Sequence, residues 1–203
     1  MSTSNTTIAN LALAFMREPA LLGTLDGDND PRADALNRIW VIARQDTITD
    51  VRPSFAKKQV LLTRDATAPT FEYDFGYILP TDYLFILKFN GITGRKASEQ
   101  FVRMARNLLT NADTVSLTYV ADETNTSYYD TKFEIAFAYK LAYMAAPQIR
   151  GNEAEVEYMR KEYDRAKSEA AKFSYSQQKL ERVHEKQISD SILYNSRITG
   201  VND

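Results

Sequence analysis

The chain is predicted to be an α+β protein: a helical bundle of about four helices with a small antiparallel β-sheet insertion and a long C-terminal extension. Three observations lead there. Apolar residues recur at helical spacing near the start of the chain, switch to a period of two in its middle, and return to helical spacing after Asp130. Proline and glycine punctuate the early part at Pro19, Gly23, Gly27, Pro31 and Pro53, whereas neither occurs between Gly151 and Gly200. The clearest single segment is FEYDFGYILPTDY, residues 71–83, whose aromatic residues alternate with acidic or small ones.

Ile8, Leu11, Ala12 and Phe15 lie at helical spacing behind a Ser/Thr/Asn cluster able to cap, so a first helix is expected to start near Thr6 or Thr7. Asp30 followed by Pro31 reads as an N-cap with proline at the first helical position. This second helix is expected to bury Leu36, Ile39, Trp40 and Ala43, to turn Arg32, Arg38 and Arg44 to solvent, and to end before Pro53.

Residues 57–63 read as a strand. Residues 71–79 read as a stronger one, with Phe71, Tyr73, Phe75, Tyr77 and Leu79 on a core face, Glu72, Asp74 and Gly76 opposite, and Pro80 as its stop. Residues 83–89 are almost continuously apolar, the pattern of a strand covered on both faces. Asn90-Gly91 is expected to begin a polar loop reaching Gln100. Residues 101–110 and 114–120 then form a hairpin-like pair joined through Asn111-Ala112-Asp113. The β insertion spans residues 55–121.

Asp130 is expected to cap a third helix that carries Phe133, Phe137, Leu141 and Met144 on its apolar side and ends at Pro147. Asn152 with Glu155 three residues later makes a capping-box-like start for a fourth. There Val156, Met159, Tyr163, Ala166, Ala170 and Phe173 step by three and four, a narrow seam suited to packing on another helix. The body is therefore assigned to residues 1–173, with helices over 6–52 and 130–173. Residues 174–203 form the extension, polar with scattered apolar positions.

Composition narrows the function classes. With 25 Lys and Arg against 27 Asp and Glu, the chain lacks the basic surplus of a protein whose main task is gripping phosphates. Cysteine is absent and His184 is the single histidine, which excludes disulfides, thiolate metal sites and multi-histidine zinc sites within one chain. No apolar run approaches the ~18 residues of a membrane span, and MSTSNTT lacks the pattern of a signal peptide. The loop Asp26-Gly27-Asp28-Asn29-Asp30 begins like a calcium loop. Pro31 and Asn37 occupy the positions where glycine and glutamate are required, so it reads as a turn followed by a helix cap. Glu72 with Asp74 share a solvated strand face, and neither a phosphate loop nor a nucleophile elbow occurs. No catalytic residue, metal ligand or cofactor is assigned.

Residues 71–83, the segment from Leu108 to Tyr119, and Tyr128-Tyr129-Asp130 opening a helix to Ala146 follow one another in an order that resembles the adaptor (tail tubular protein A) family of short-tailed bacteriophages. The resemblance covers residues 8–173 and rests on pattern and element order. It implies a virion structural protein, assembled in the host cytoplasm and placed in the neck and tail. It also implies a homododecameric ring between the portal protein and the tail nozzle (a tail tubular protein B-like partner). The ring would extend the channel through which DNA passes without sequence-specific binding, and it would have no membrane partner. Because adaptors commonly reach the portal with their C-terminal end, Leu180, Val183, His184, Ile188, Ile192, Leu193 and Tyr194 are the expected portal-docking residues. Arg95 and Lys96, in the loop leaving the sheet, are the expected nozzle contacts. The rival readings are a head-completion connector of a long-tailed phage and, in a different class, a small cell-envelope hydrolase with carboxylates as acid and base.

Overall fold

A computed structural model describes the backbone of residues 4–19, 21–27, 29–67, 69 and 71–199, and within these the side chains as far as residue 177, together with 179. The fold is α+β, with five helices and two small antiparallel sheets. In chain order these are α1 (Asn5–Phe15), α2 (Pro31–Val51), β1 (Lys57–Leu61), β2 (Phe75–Ile78), β3 (Tyr83–Phe89), β4 (Ile92–Thr93), α3 (Arg95–Ser98), β5 (Val102–Met104), β6 (Asn107–Thr110), β7 (Ser116–Ala121), α4 (Thr131–Ile149) and α5 (Glu153–Thr199).

Caps set the helix starts. Ser4 accepts from the Thr7 amide, Asp30 from the Arg32 amide and Asp130 from the Phe133 amide, each satisfying a donor the helix cannot pair internally. Around α4 pack α1, α2 and α5. Its Phe133, Ala136, Phe137, Ala138, Leu141 and Ala142 are fully buried, and the alanines let the neighbouring helices approach closely. Phe133 makes edge contacts with Phe55 and Tyr129, and Phe137 with Trp40, at centroid separations of 4.8–5.1 Å. A second core lies within the β insertion, built on Tyr77, Phe89, Leu108, Leu117 and Tyr119.

The insertion holds a four-stranded sheet in the order β1-β7-β3-β4 and a three-stranded sheet in the order β2-β6-β5. Here the structure corrects the expected pairing. β6 and β7 are not a hairpin: β6 pairs with β2 and β5, β7 with β1 and β3, and residues 111–115 cross between the sheets. The Tyr77 hydroxyl donates to the carbonyls of Ala112 and Asp113 and fixes that crossing. The aromatic strand is also shorter than expected. Its last rung is Phe75 opposite Thr110, because β6 ends there and leaves residues 71–74 without a partner strand. Phe71 is 71 % exposed rather than in the core, whereas Tyr77 and Leu79 are buried as expected.

Three further expectations are corrected. α4 continues through Pro147 to Ile149, since a proline in the last turn forfeits one intrahelical bond and the Arg150 and Gly151 amides both close on the Ala146 carbonyl. On α5 the apolar seam runs from Ala170 to Ser174, not Phe173, because 3.6-residue periodicity carries the stripe off a strict three-four alternation. Arg44, assigned to solvent, is buried.

Asn90-Gly91 is the two-residue turn of a β3–β4 hairpin rather than the start of an open loop, with φ of 46° and 78°. Asn-Gly between strands is the strongest short hairpin signal. The Asn90 side chain accepts from the Ser116 amide and donates to the Thr114 carbonyl. A Cβ at Gly91 would meet nothing within 4 Å, so Gly91→Ala tests backbone conformation alone. We expect it to destabilise the chain by about 1 kcal/mol, read as a lower urea midpoint at unchanged slope.

Candidate interaction surfaces

Polar side chains withdrawn from solvent are spent on joining elements. Arg44 on α2 makes a two-pronged pair with Asp122, just past β7, at 2.8 and 2.9 Å, and Gln45 donates to the same carboxylate. Burial alone would raise the Asp122 pKa; the hydrogen bonds from Arg44 and Gln45 outweigh it and hold the carboxyl below its usual range. Asp82 behaves likewise: burial raises it, and Lys58 and the Tyr119 hydroxyl pull it lower. In return burial and Asp82 push Tyr119 up to about 12. On the bundle side Lys140 pairs with Asp46, and the Tyr163 hydroxyl donates to Asp50, tying α4 and α5 to α2. Among the described residues, no group of three or more His, Cys, Asp or Glu is arranged to hold a metal ion.

Glu72 and Asp74, weighed as a carboxylate pair, are both exposed and precede β2 instead of sharing a strand face. Arg95 and Lys96 form the first turn of α3, which packs on β3 and β4. The Arg95 side chain is 92 % exposed and reaches only Glu99 one turn on, and Lys96 is exposed. Gly94 at φ 67° swings the chain into that turn, and buried Ala97 anchors it. The two cations therefore stand out from the surface as expected, on a short anchored helix rather than an open loop. Arg103 and Arg106 add exposed positive charge nearby.

At the other end of the chain, α5 spans 47 residues against 19 for α4, on which it packs. At about 1.5 Å per residue that is roughly 70 Å of helix against roughly 28 Å. Among the described side chains, its contacts with the body include Ser174, whose hydroxyl reaches the Arg52 carbonyl, and Gln177, which accepts from Ser54. The side chains of Leu180, Val183, His184, Ile188, Ile192, Leu193 and Tyr194 lie outside the described residues.

Several clefts open on the β insertion, and two of them are lined mainly by apolar side chains. One, of about 420 Å³, lies on the three-stranded sheet and is lined by Phe71, Tyr73, Val102, Met104 and Leu109 among others. The second, of about 500 Å³, lies between the end of α2, β3, α3 and β5. Sequence reasoning named neither. The signal available for the second was the apolar run of β3, which demands a cover that the insertion supplies only in part.

Among the described residues no helix is long and apolar enough to cross a membrane. In comparisons with known proteins, no family model and no curated protein matches the chain.

Proposed function

We propose that the protein is a head-to-tail adaptor, a virion structural protein that forms a ring between portal and tail nozzle and lines part of the DNA channel. The observation that carries this reading is the mismatch in helix length. α5 exceeds its packing partner by more than twofold, so a helical arm extends past the α4 it packs on. The arm leaves the body beside Arg52 and Ser54, at the root of the β insertion, and the insertion carries the exposed basic turn of Arg95 and Lys96; two such separate surfaces suit a part that joins two different neighbours. Two of the carboxylates drawn in from solvent, Asp82 and Asp122, are held ionised by cations rather than poised as acids, which does not favour the envelope hydrolase. A wall with a formal net charge of −2 per chain suits a conduit, since a basic wall would hold DNA through many phosphates.

Purified chain mixed with portal tests the reading. The free chain is expected to sediment mainly as monomer, because each lateral contact is weak until the portal aligns many of them at high effective concentration. Added portal should deplete it in a multiple of the portal's symmetry. A chain that ignores portal and instead degrades peptidoglycan overturns the adaptor assignment.

The exposed basic turn supplies a separate test. Arg95→Glu with Lys96→Glu reverses two exposed charges that make no contact with the core. We expect ring formation on the portal to be unchanged and nozzle attachment to weaken about tenfold, measured by co-sedimentation at low salt. Lost portal binding with normal nozzle binding would reverse the assignment of the two surfaces.

A further inference from the structure

The geometry points to the cleft along the free edge of β3 as a docking site for residues 71–74 of a second copy of this chain. β3, YLFILKF, has the composition of a strand covered on both faces, yet six of its seven residues remain partly exposed. Its outer edge is open as well. β7 pairs along one side, but β4 covers only Lys88 and Phe89 on the other, so over residues 83–87 no described strand takes up that edge. An apolar strand with an open edge and incomplete cover is built to receive another extended segment.

Charge states what that segment must carry. Arg52 and Arg103 flank the cleft, with the Arg52 guanidinium 4.3 Å from the Phe85 ring centroid and that of Arg103 6.0 Å from Tyr83. Neither meets a carboxylate among the described residues. The complement is an extended acidic and aromatic stretch, and the chain displays one: Phe71-Glu72-Tyr73-Asp74. Phe71 is 71 % exposed, and Glu72 and Asp74 are exposed with no cation beside them among the described residues. Glu72 sits at φ 70°, which pairing as a strand would relax to an extended conformation.

Donor and acceptor also lie where a head-to-tail contact needs them. Residues 71–73 border the cleft on the three-stranded sheet together with Val102 and Met104, whereas Arg103 lines the β3 cleft with Tyr83 and Phe85, so segment and acceptor are distinct surfaces of one chain. Each copy can therefore offer its segment to one neighbour and its cleft to another, a heterologous contact that closes into a ring or propagates. A four-residue contact falls below the roughly 1,000 Å² of a stable interface, so it is weak in isolation. As the seam of a ring it rests on the adaptor reading; as a contact between copies it is tested by itself.

The chain has no native cysteine, so Thr67→Cys, at an exposed position bordering the same cleft as Phe71, and Ser98→Cys in one chain give a clean cross-linking probe that leaves residues 71–74 intact. A short bis-maleimide should produce a ladder of linked chains, whereas either single-cysteine chain should stop at dimer. Adding Glu72→Lys with Asp74→Lys, or Arg103→Glu with Arg52→Glu, should cut ladder yield at least about tenfold. Mixing those two charge-reversed chains should restore it, an outcome that misfolded variants cannot give. A monomer linked to itself, a ladder indifferent to charge reversal, or no rescue on mixing overturns the proposal. Portal capture separates the two readings. An Arg103→Glu chain that forms portal rings as well as the parent does removes this contact and leaves the adaptor, whereas a charge-dependent ladder from a chain that ignores portal does the reverse.

Discussion

A chain cut after Lys179 is expected to keep its fold and to lose portal capture. Every described tie between α5 and the body survives that cut, including Tyr163 and Lys167 to Asp50, Lys132 to Glu169, Ser174 to the Arg52 carbonyl and Gln177 to Ser54. The buried seam of Met159, Tyr163, Ala166 and Ala170 also stays in place against α4 and α2. What is removed is the part of the helical span beyond those ties, which carries Leu180, Val183, Ile188, Ile192, Leu193 and Tyr194 in an otherwise polar stretch. Under the adaptor reading this segment is expected to gain its apolar burial on the portal. The thermal midpoint should stay within a few degrees of the parent chain, while affinity for portal rings should fall by about a hundredfold or more if these residues hold the main anchors. A truncated chain that still assembles on portals with full affinity would move the portal contact to the bundle.

The sequence exposed most of the architecture because the deciding signals are local. Asp30-Pro31 and Asp130 mark helix starts through side chains that accept from amides two or three residues away. β3 was legible to the residue from its apolar run. What escaped is non-local. Residues 71–74 alternate like a strand, but a strand exists only where a partner continues, and β6 stops at Thr110. Which sheet accepts β7 is decided by the crossing that Tyr77 pins, a contact 35 residues away in sequence that no alternation encodes. Arg44 falls among the solvent-facing arginines of α2 by composition, and only the arrival of Asp122, 78 residues on, turns it inward. The same limit applies to the interaction surfaces. Arg95 and Lys96 could be picked out because exposed cations in a polar stretch need no partner, whereas the cleft along β3 arises only once α2, α3 and β5 converge on it.

That buried pair is where the largest loss of stability is expected. Arg44 and Asp122 are 10 % and 15 % exposed, and their two-pronged contact is the polar weld between the bundle and the four-stranded sheet. Removing one partner leaves the other charge buried and unpaired, which costs about 3 kcal/mol or more. Arg44→Ala should therefore lower the thermal midpoint on the order of 10 °C in a chain of this size. Replacing both partners with apolar residues, Arg44→Met with Asp122→Leu, should recover much of that loss, because the penalty comes from stranding a charge rather than from losing the attraction. Acid supplies an independent check. The Asp122 pKa is lowered in the folded chain, so its contribution is fully present above the unfolded carboxyl value of about 3.9 and is lost as pH falls through the lower folded value. Asp82 is lowered too and contributes in the same direction, so the informative quantity is a difference between chains. Asp122→Asn should be less stable than the parent at pH 7, and the gap should narrow as pH falls below about 4. A gap that stays constant down to the acid unfolding transition would mean that the Asp122 charge does not stabilise the fold.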